Sequence, residues 1–234
     1  MQYHSICPAR FLSRPNRFIA HCVLDDGTPV IAHVKNTGRC AELLIPGVRV
    51  YLEYSPNPAR KTPCDLVAVE KQTPNGTLLI NMDSAAPNAA AGEWLAAGGL
   101  GRLDVLRSEY RLGDSRFDFY AEQNGRPMLV EVKGCTLETD GFACFPDAPT
   151  QRGVKHLQEL ARYAQQGWRC CALFLIQMKG VRTFGPNWTT HPAFGEAMRQ
   201  AQNAGVELLA LDCIVTPYGM MADAPVPILL DKPE

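Results

Sequence analysis

Residues 169–178, Arg-Cys-Cys-Ala-Leu-Phe-Leu-Ile-Gln-Met, make a nearly unbroken apolar run. A strand with one wet face alternates polar and apolar residues; a strand without alternation has to be covered on both faces. The run therefore predicts a central strand, and its flanks say what covers it. Before it, Thr150 caps a helix predicted to about Gln166, with Val154, Leu157, Leu160, Ala161 and Ala164 on one face. After it, Pro192 to Ala204 reads as a helix ended by Gly205, and Val206 to Ile214 as another strand. Upstream lie three strand candidates, Asp104–Arg111, Ser115–Ala121 and Pro127–Lys133, separated by the turn signals Gly113-Asp114 and Asn124-Gly125. An Ala-rich helix over 89–97, stopping at Gly98-Gly99, precedes them. The order α-β-β-β-α-β-α-β predicts an α/β (mixed α+β) sheet, a meander extended by crossovers and flanked by helices.

The first eighty residues have a different rhythm. Phe18–Leu24 and Pro29–Val34 form a hairpin around Asp26-Gly27, and Val48–Tyr54 and Asp65–Lys71 supply further strands. A short helical or loop segment opens at Asn36-Thr37-Gly38 and ends near Leu44. About five such strands with a small insert suit a closed barrel of the OB type, and equally other small barrels. The polar stretch Asn81–Asn88, carrying Pro87, is the expected boundary, giving domains over 1–82 and 83–234.

Composition narrows the classes of function. Hydrophobic residues make up 46% and charged residues 20%, ordinary for a globular chain with a large core. No stretch of eighteen apolar residues is present, and the start Met1-Gln2-Tyr3-His4-Ser5 lacks the pattern of a signal peptide, so a cytoplasmic protein without a membrane partner is expected. The nine cysteines are odd in number and scattered, with no CxxC spacing, which argues against a disulfide framework or a zinc knuckle. Cys170 and Cys171, inside the apolar run, read as small buried hydrophobes. A net charge of −1 is low for a dedicated nucleic-acid binder, but Arg10, Arg14, Arg17, Lys35 and Arg39 concentrate in one block, followed by Arg60-Lys61.

Chemistry concentrates on two neighbouring strands. In Ser115-Arg116-Phe117-Asp118-Phe119-Tyr120, strict alternation sends Phe117 and Phe119 one way and Arg116, Asp118 and Tyr120 the other. In Leu129-Val130-Glu131-Val132-Lys133, Glu131 and Lys133 share a face. Pairing the strands brings Asp118, Glu131 and Lys133 together. Two carboxylates can hold Mg²⁺ (or Mn²⁺), and a lysine beside them can orient the attacking water and offset phosphate charge. Glu93 and Glu109 are candidates for a third carboxylate, although Glu109 sits among Arg107 and Arg111 and reads first as an ion-pair partner. By spacing alone the motif fits an ordinary Glu–Lys pair on a strand surface better than a metal site.

The placement of that motif in a meander before a helix–strand pair resembles the core of PD-(D/E)xK, restriction-endonuclease-like nucleases. A longer set of motifs is more specific. Glu131-Val-Lys-Gly-Cys-Thr-Leu-Glu138, Phe145-Pro-Asp-Ala-Pro-Thr-Gln-Arg-Gly-Val-Lys-His-Leu-Gln-Glu-Leu160, Asn36-Thr37-Gly38, Asn57-Pro-Ala-Arg-Lys61 and Ser115-Arg-Phe-Asp-Phe119 together resemble the sugar fermentation stimulation protein A (SfsA) family over nearly the whole chain. The resemblance implies an N-terminal OB-like domain and a C-terminal nuclease-like domain. It also implies nucleic-acid binding and metal-dependent nuclease activity, with Asp118, Glu131 and Lys133 at the nuclease positions.

Contacts to DNA or RNA are expected from loops. Lys35-Asn36-Thr37-Gly38-Arg39 follows a strand and offers amides, polar side chains and charge for phosphate, with Arg60 and Lys61 extending the patch. Arg152, Lys155 and His156 lie in the first two turns of the helix after Thr150, where the helix dipole also favours an anion; Arg116 lies on the Asp118 strand. Phe11, Phe18 and Tyr51 are candidate stacking platforms, each better explained as core. Two functions compete: a Mg²⁺-dependent nuclease, and a non-catalytic DNA-binding protein regulating sugar-metabolism genes. Oligomeric state is open, a homodimer being one option.

Overall fold

A computed structural model describes residues 1–232 apart from Thr37 and Asn75, so the candidate Thr37 lies outside the described residues. The chain divides into two compact units: one takes Met1–Ala86 with 177–179 and 213–221, the other 87–176, 180–212 and Ala222 onward.

The first unit is a barrel. Its strands are β1 (Ile6–Asn16), β2 (Ile19–Leu24), β3 (Pro29–Val34), β4 (Arg49–Tyr54), β5 (Cys64–Thr73) and β6 (Gly76–Asn81). They run in the order β3-β2-β1-β4-β5-β6, and a parallel pairing of β3 with β5, Ala32 opposite Cys64 and Val34 opposite Leu66, closes the first five into an OB-type barrel. Alternation fills it: Ala9 and Phe11 of β1, Ala20 and Cys22 of β2, Ala32 and Val34 of β3, and Val50 and Leu52 of β4 are buried, while Arg10, Leu12 and Ile31 are exposed. The longest strand of the barrel, β1, escaped the sequence reading because Pro8 and Pro15 lie within it, and proline ordinarily marks a strand edge or end. The polar segment at the expected boundary is not a solvated linker. Asn81 and Asp83 are buried: Asn81 Nδ2 donates to the Tyr3 hydroxyl at 2.8 Å, and Gln177 Nε2 donates to the Asn81 carbonyl at 3.0 Å.

The second unit is built on a mixed sheet flanked by helices. Helix α1 (Ala86–Ala96) starts earlier than periodicity indicates, with Pro87 in the first turn, where its missing N–H costs nothing. The strands β7 (Val105–Leu112), β8 (Ser115–Gln123) and β9 (Arg126–Cys135) form the antiparallel meander. After the short β10 (Glu138–Thr139) and β11 (Phe142–Phe145), helix α2 (Gln151–Gln165) leads to β12 (Arg169–Ile176). Then come β13 (Thr183–Pro186), α3 (Pro192–Asn203), β14 (Glu207–Thr216) and β15 (Gly219–Pro225). The main sheet runs β15-β14-β12-β9-β8-β7, with β12 parallel to both β9 and β14; a second sheet, β10-β11-β13, is smaller. Cys170 to Ile176 are at most 1% exposed, as a doubly covered central strand requires. Thr150 Oγ1 accepts from the Gly153 amide at 3.0 Å and caps α2. Gly153 leaves no room for a side chain: a β-carbon there would lie 2.8 Å from Thr150 Cγ2 and 3.0 Å from the Phe194 ring of α3. Among the described residues no helix is long and apolar enough to cross a membrane.

Candidate functional site

Strands β8 and β9 pair with Phe119 opposite Val130, Tyr120 opposite Leu129 and Ala121 opposite Met128. That register carries Asp118 to the level of the Glu131–Lys133 segment, and the Val132 amide donates to Asp118 Oδ2 at 2.7 Å. From α1, Asn88 Nδ2 donates to Asp118 Oδ1 at 2.8 Å. Both oxygens are thereby aimed by neutral donors.

Strict alternation does not hold around Asp118, which corrects the sequence reading. Phe117 meets Tyr163 of α2 edge-on at 5.9 Å, and Tyr120 packs on Trp168, just beyond α2, at 6.2 Å, whereas Phe119 lies against Gly92 of α1. So Phe117 and Phe119 do not share a neighbourhood, while Phe117 and Tyr120 do. The cause is an irregularity: the β7–β8 ladder skips the Glu109–Asp118 pair, and Glu109 takes φ 55°. Breaks of this kind re-aim side chains at a sheet.

Glu131 is 2% exposed. Its Oε1 accepts from Lys133 Nζ and from His156 Nδ1 of α2, while its Oε2 is buried with no hydrogen-bond partner among the described residues. Burial works to raise the Glu131 pKa, but His156 and Lys133 outweigh it and hold the carboxyl below its ordinary value. Asp118 goes the other way: burial, then the charge of Glu131, push its pKa up against the amide of Val132, Lys133 and Asn88. An oriented carboxylate oxygen left bare in the interior costs about 1–3 kcal/mol or more, because water is lost and nothing replaces it.

Those features fit a hard divalent cation. Two carboxylates supply oxygen donors, one oxygen is unspent, and a positive charge would offset the burial and the neighbouring Glu131 charge that lift Asp118. Among the described residues there is no group of three or more His, Cys, Asp or Glu side chains able to hold a metal. The fit is thus to an ion that keeps water and takes substrate oxygens, as Mg²⁺ does when held by one or two carboxylates, and not to a closed protein cage. Of the two further carboxylates, Glu93 is exposed on α1, and Glu109 pairs with Arg116 at 2.7 Å.

The expected basic contacts divide sharply. Arg152 is exposed, and Lys155 is largely exposed beside Glu159 at 3.7 Å. His156 is no surface residue: it is 6% exposed and turned to Glu131. In the barrel unit, Lys35 pairs at 2.5 Å with the buried Asp83, and Arg60 clasps Asp65 through both oxygens at 2.6 and 3.0 Å. Asn36 Oδ1 is taken by the Gly38 amide at 2.8 Å. Arg14 is a clamp inside the loop, donating to the carbonyls of Arg17, Asn36, Gly38 and Arg39. Arg39 and Lys61 are exposed. Phe11 is core, Tyr51 donates its hydroxyl to Glu70 at 2.8 Å, and Phe18 is 49% exposed.

Sequence reasoning missed Asn88 and the true place of His156. No local spacing links Asn88 to Asp118. For His156 a signal existed, since Gly153, His156, Leu157 and Leu160 follow the i, i+3, i+4, i+7 stripe that α2 buries.

Residues 12–80 match the family profile described as the SfsA N-terminal OB domain, and residues 85–219 the one described as the sugar fermentation stimulation protein RE domain. The chain belongs to the SfsA family. A sugar fermentation stimulation protein homolog of Desulfitobacterium hafniense is 52% identical over 216 residues, 92% of each chain. One from Ruminiclostridium cellulolyticum is 50% identical, covering 92% of this chain and 93% of the relative. The solved structure of Pyrococcus furiosus SfsA in complex with Ca²⁺ superposes with a TM-score of 0.84 at 27% identity, covering 98% of both chains. An OB-type barrel followed by a restriction-endonuclease-like mixed sheet is thus the family's architecture and this chain's own.

Proposed function

We propose that this SfsA protein binds DNA or RNA and hydrolyses its phosphodiester bonds with a divalent cation, Mg²⁺ or Mn²⁺, held by Asp118 and Glu131. The reading is carried by one observation: Glu131, a charged and buried side chain, has Oε1 doubly bonded and Oε2 bare beside a second carboxylate. The P. furiosus relative forms a complex with Ca²⁺, another oxygen-seeking divalent ion, which supports the same donor chemistry here.

When bound, the cation would withdraw charge from the phosphate and make water a better nucleophile. The protein's own part follows from its side chains. Val132 N–H and Asn88 fix the Asp118 carboxylate. Lys133, bonded to Glu131, carries the charge that orients the attacking water and offsets the phosphate. This reading assigns the exposed Arg152 and Lys155, with Arg39 and Lys61 on the barrel, to backbone phosphates, a sequence-independent contact; Arg116, though exposed, is paired with Glu109. In this reading residues 1–82 are the OB-like binding domain and 83–234 the nuclease-like domain, acting in the cytoplasm.

The test is incubation with single-stranded DNA, duplex DNA and RNA in Mg²⁺, Mn²⁺ or EDTA, comparing the wild type with Glu131→Ala. Metal-dependent cleavage lost in the variant is expected. Cleavage that survives EDTA or the substitution would sink the site. Binding in every arm without cleavage would favour the second reading, a non-catalytic DNA-binding regulator of sugar-metabolism genes. The family's name and the small number of carboxylates at the site among the described residues are the observations on its side.

A further inference from the structure

We propose that His156 is the positioning residue that decides which oxygen of Glu131 is left for the cation; this rests on the reading of Asp118 and Glu131 as cation ligands. The imidazole sits on the buried stripe of α2, 6% exposed, with Nδ1 on Glu131 Oε1 and the Phe117 ring centred 6.5 Å away. Its other nitrogen is also engaged: Arg152 Nε donates to His156 Nε2 at 3.4 Å. A carboxylate oxygen can only accept, so it is the Nδ1–H that is donated to Glu131.

Lys133 bonds the same Oε1, but the two donors differ in kind. The lysine amine rides on a flexible four-carbon stem from the same strand, two residues away, and can follow the carboxylate through any rotation. The imidazole is a rigid plate on a separate packed helix and cannot. With His156 in place, turning Glu131 to exchange its oxygens would break the bond to α2 and leave the Nδ1–H buried without an acceptor. Oε1 is therefore the protein's oxygen and Oε2, bare and buried, is the ligand's. Partners that orient a ligating group in this way typically contribute 10–100-fold to metal affinity, by about that order of magnitude.

Asparagine and leucine have nearly the same shape, and only asparagine can place an N–H near the position of Nδ1. Calcium titration by calorimetry, with Ca²⁺ alone as probe, would compare the wild type, Glu131→Gln, His156→Asn and His156→Leu, with thermal melts run beside them. Affinity is expected to be lost in Glu131→Gln, kept within about threefold in His156→Asn, and weakened about 10–100-fold in His156→Leu at matched melting temperature. Equal affinities in the Asn and Leu variants overturn the positioning role while leaving the site intact. A wild type that takes no Ca²⁺, or a Glu131→Gln variant that binds as well as wild type, overturns the site reading itself, and the role of His156 goes with it. If neither histidine variant folds, nitrogen-15 spectra of the wild-type imidazole decide: the Nδ1–H tautomer, kept on adding Ca²⁺, supports the assignment, and the Nε2–H tautomer overturns it.

Discussion

Asp65 in the barrel and Glu131 in the mixed sheet are both buried carboxylates beside a histidine and a cation, yet they are finished differently. Arg60 takes both oxygens of Asp65, and His33 Nδ1 lies 3.2 Å from Oδ1, so nothing is left over. At Glu131 two donors crowd one oxygen and leave the other bare. Both groups are held below their ordinary pKa against burial, so the shift does not tell them apart. The saturated pair is a fastening; the unsaturated one has room for something else. What separates structure from site here is the unspent lone pair, not the charge.

Breaking each carboxylate in turn tests that distinction. Glu131→Gln is expected to lower the rate of metal-dependent cleavage by about a thousandfold or more, since a charge aimed at the reacting phosphate's cation is lost. Asp65→Asn should leave the rate per folded molecule unchanged. A nuclease assay on both variants, normalised to folded protein, checks the pair, and equal losses would erase the distinction. Asn88→Ala comes next in size. It removes one of two donors on Asp118 without touching a carboxylate, and a fall of about 10–100-fold in cleavage or in Ca²⁺ affinity is expected.

Asp65→Asn shows itself in stability instead. Losing a bidentate partner for Arg60 should lower the urea-unfolding free energy by about 1–3 kcal/mol at pH 7. The sign with pH follows from the shift. Burial raises the Asp65 pKa, but the Arg60 hydrogen bonds, then its charge, and His33 and Lys35 lower it further, so the folded pKa lies below the unfolded one. The increment is complete above the unfolded pKa, about 3.9, and drains away as pH falls through the lower folded value. The gap between wild type and variant should therefore be widest near neutrality and close below about pH 4. A gap that widens in acid would mean that Asp65 is not held by Arg60.

Sequence carried the fold well where information is local. The doubly buried β12, the meander β7-β8-β9 and the cap at Thr150 depend on spacing and turn residues within a few positions. The meeting of Asp118 with the Glu131–Lys133 segment was legible for the same reason, since they lie on strands joined by a tight turn. What failed was anything decided by a distant partner. Lys35 reads as a phosphate contact until the buried Asp83, 48 residues on, claims it. His156 reads as part of a basic face until the stripe of α2 turns it to Glu131, 25 residues back. Prolines hid β1, and the irregularity at Glu109, which re-aims the side chains around Asp118, has no residue-type signature.

The same division of cations predicts the smallest effect, and it concerns nucleic-acid affinity. Arg39 and Lys61 are exposed, whereas Lys35, Arg60 and Arg14 are tied to Asp83, Asp65 and the loop carbonyls. A cation that meets phosphate releases condensed counterions, and each such contact adds about 0.7 to 0.9 to the slope of log affinity against log salt. Substituting Arg39 or Lys61 by alanine should shallow that slope by about one contact each and leave the melting temperature alone. Lys35→Ala should do the reverse: it strips a buried carboxylate of its cation, so the melting temperature falls while the slope stays put. Fluorescence anisotropy across a salt series with a labelled oligonucleotide, alongside thermal melts, reads both quantities. If Lys35→Ala shallows the slope as much as Lys61→Ala does, the Lys35–Asp83 pair opens to take phosphate, and saturation of a carboxylate would no longer mark a side chain as merely structural.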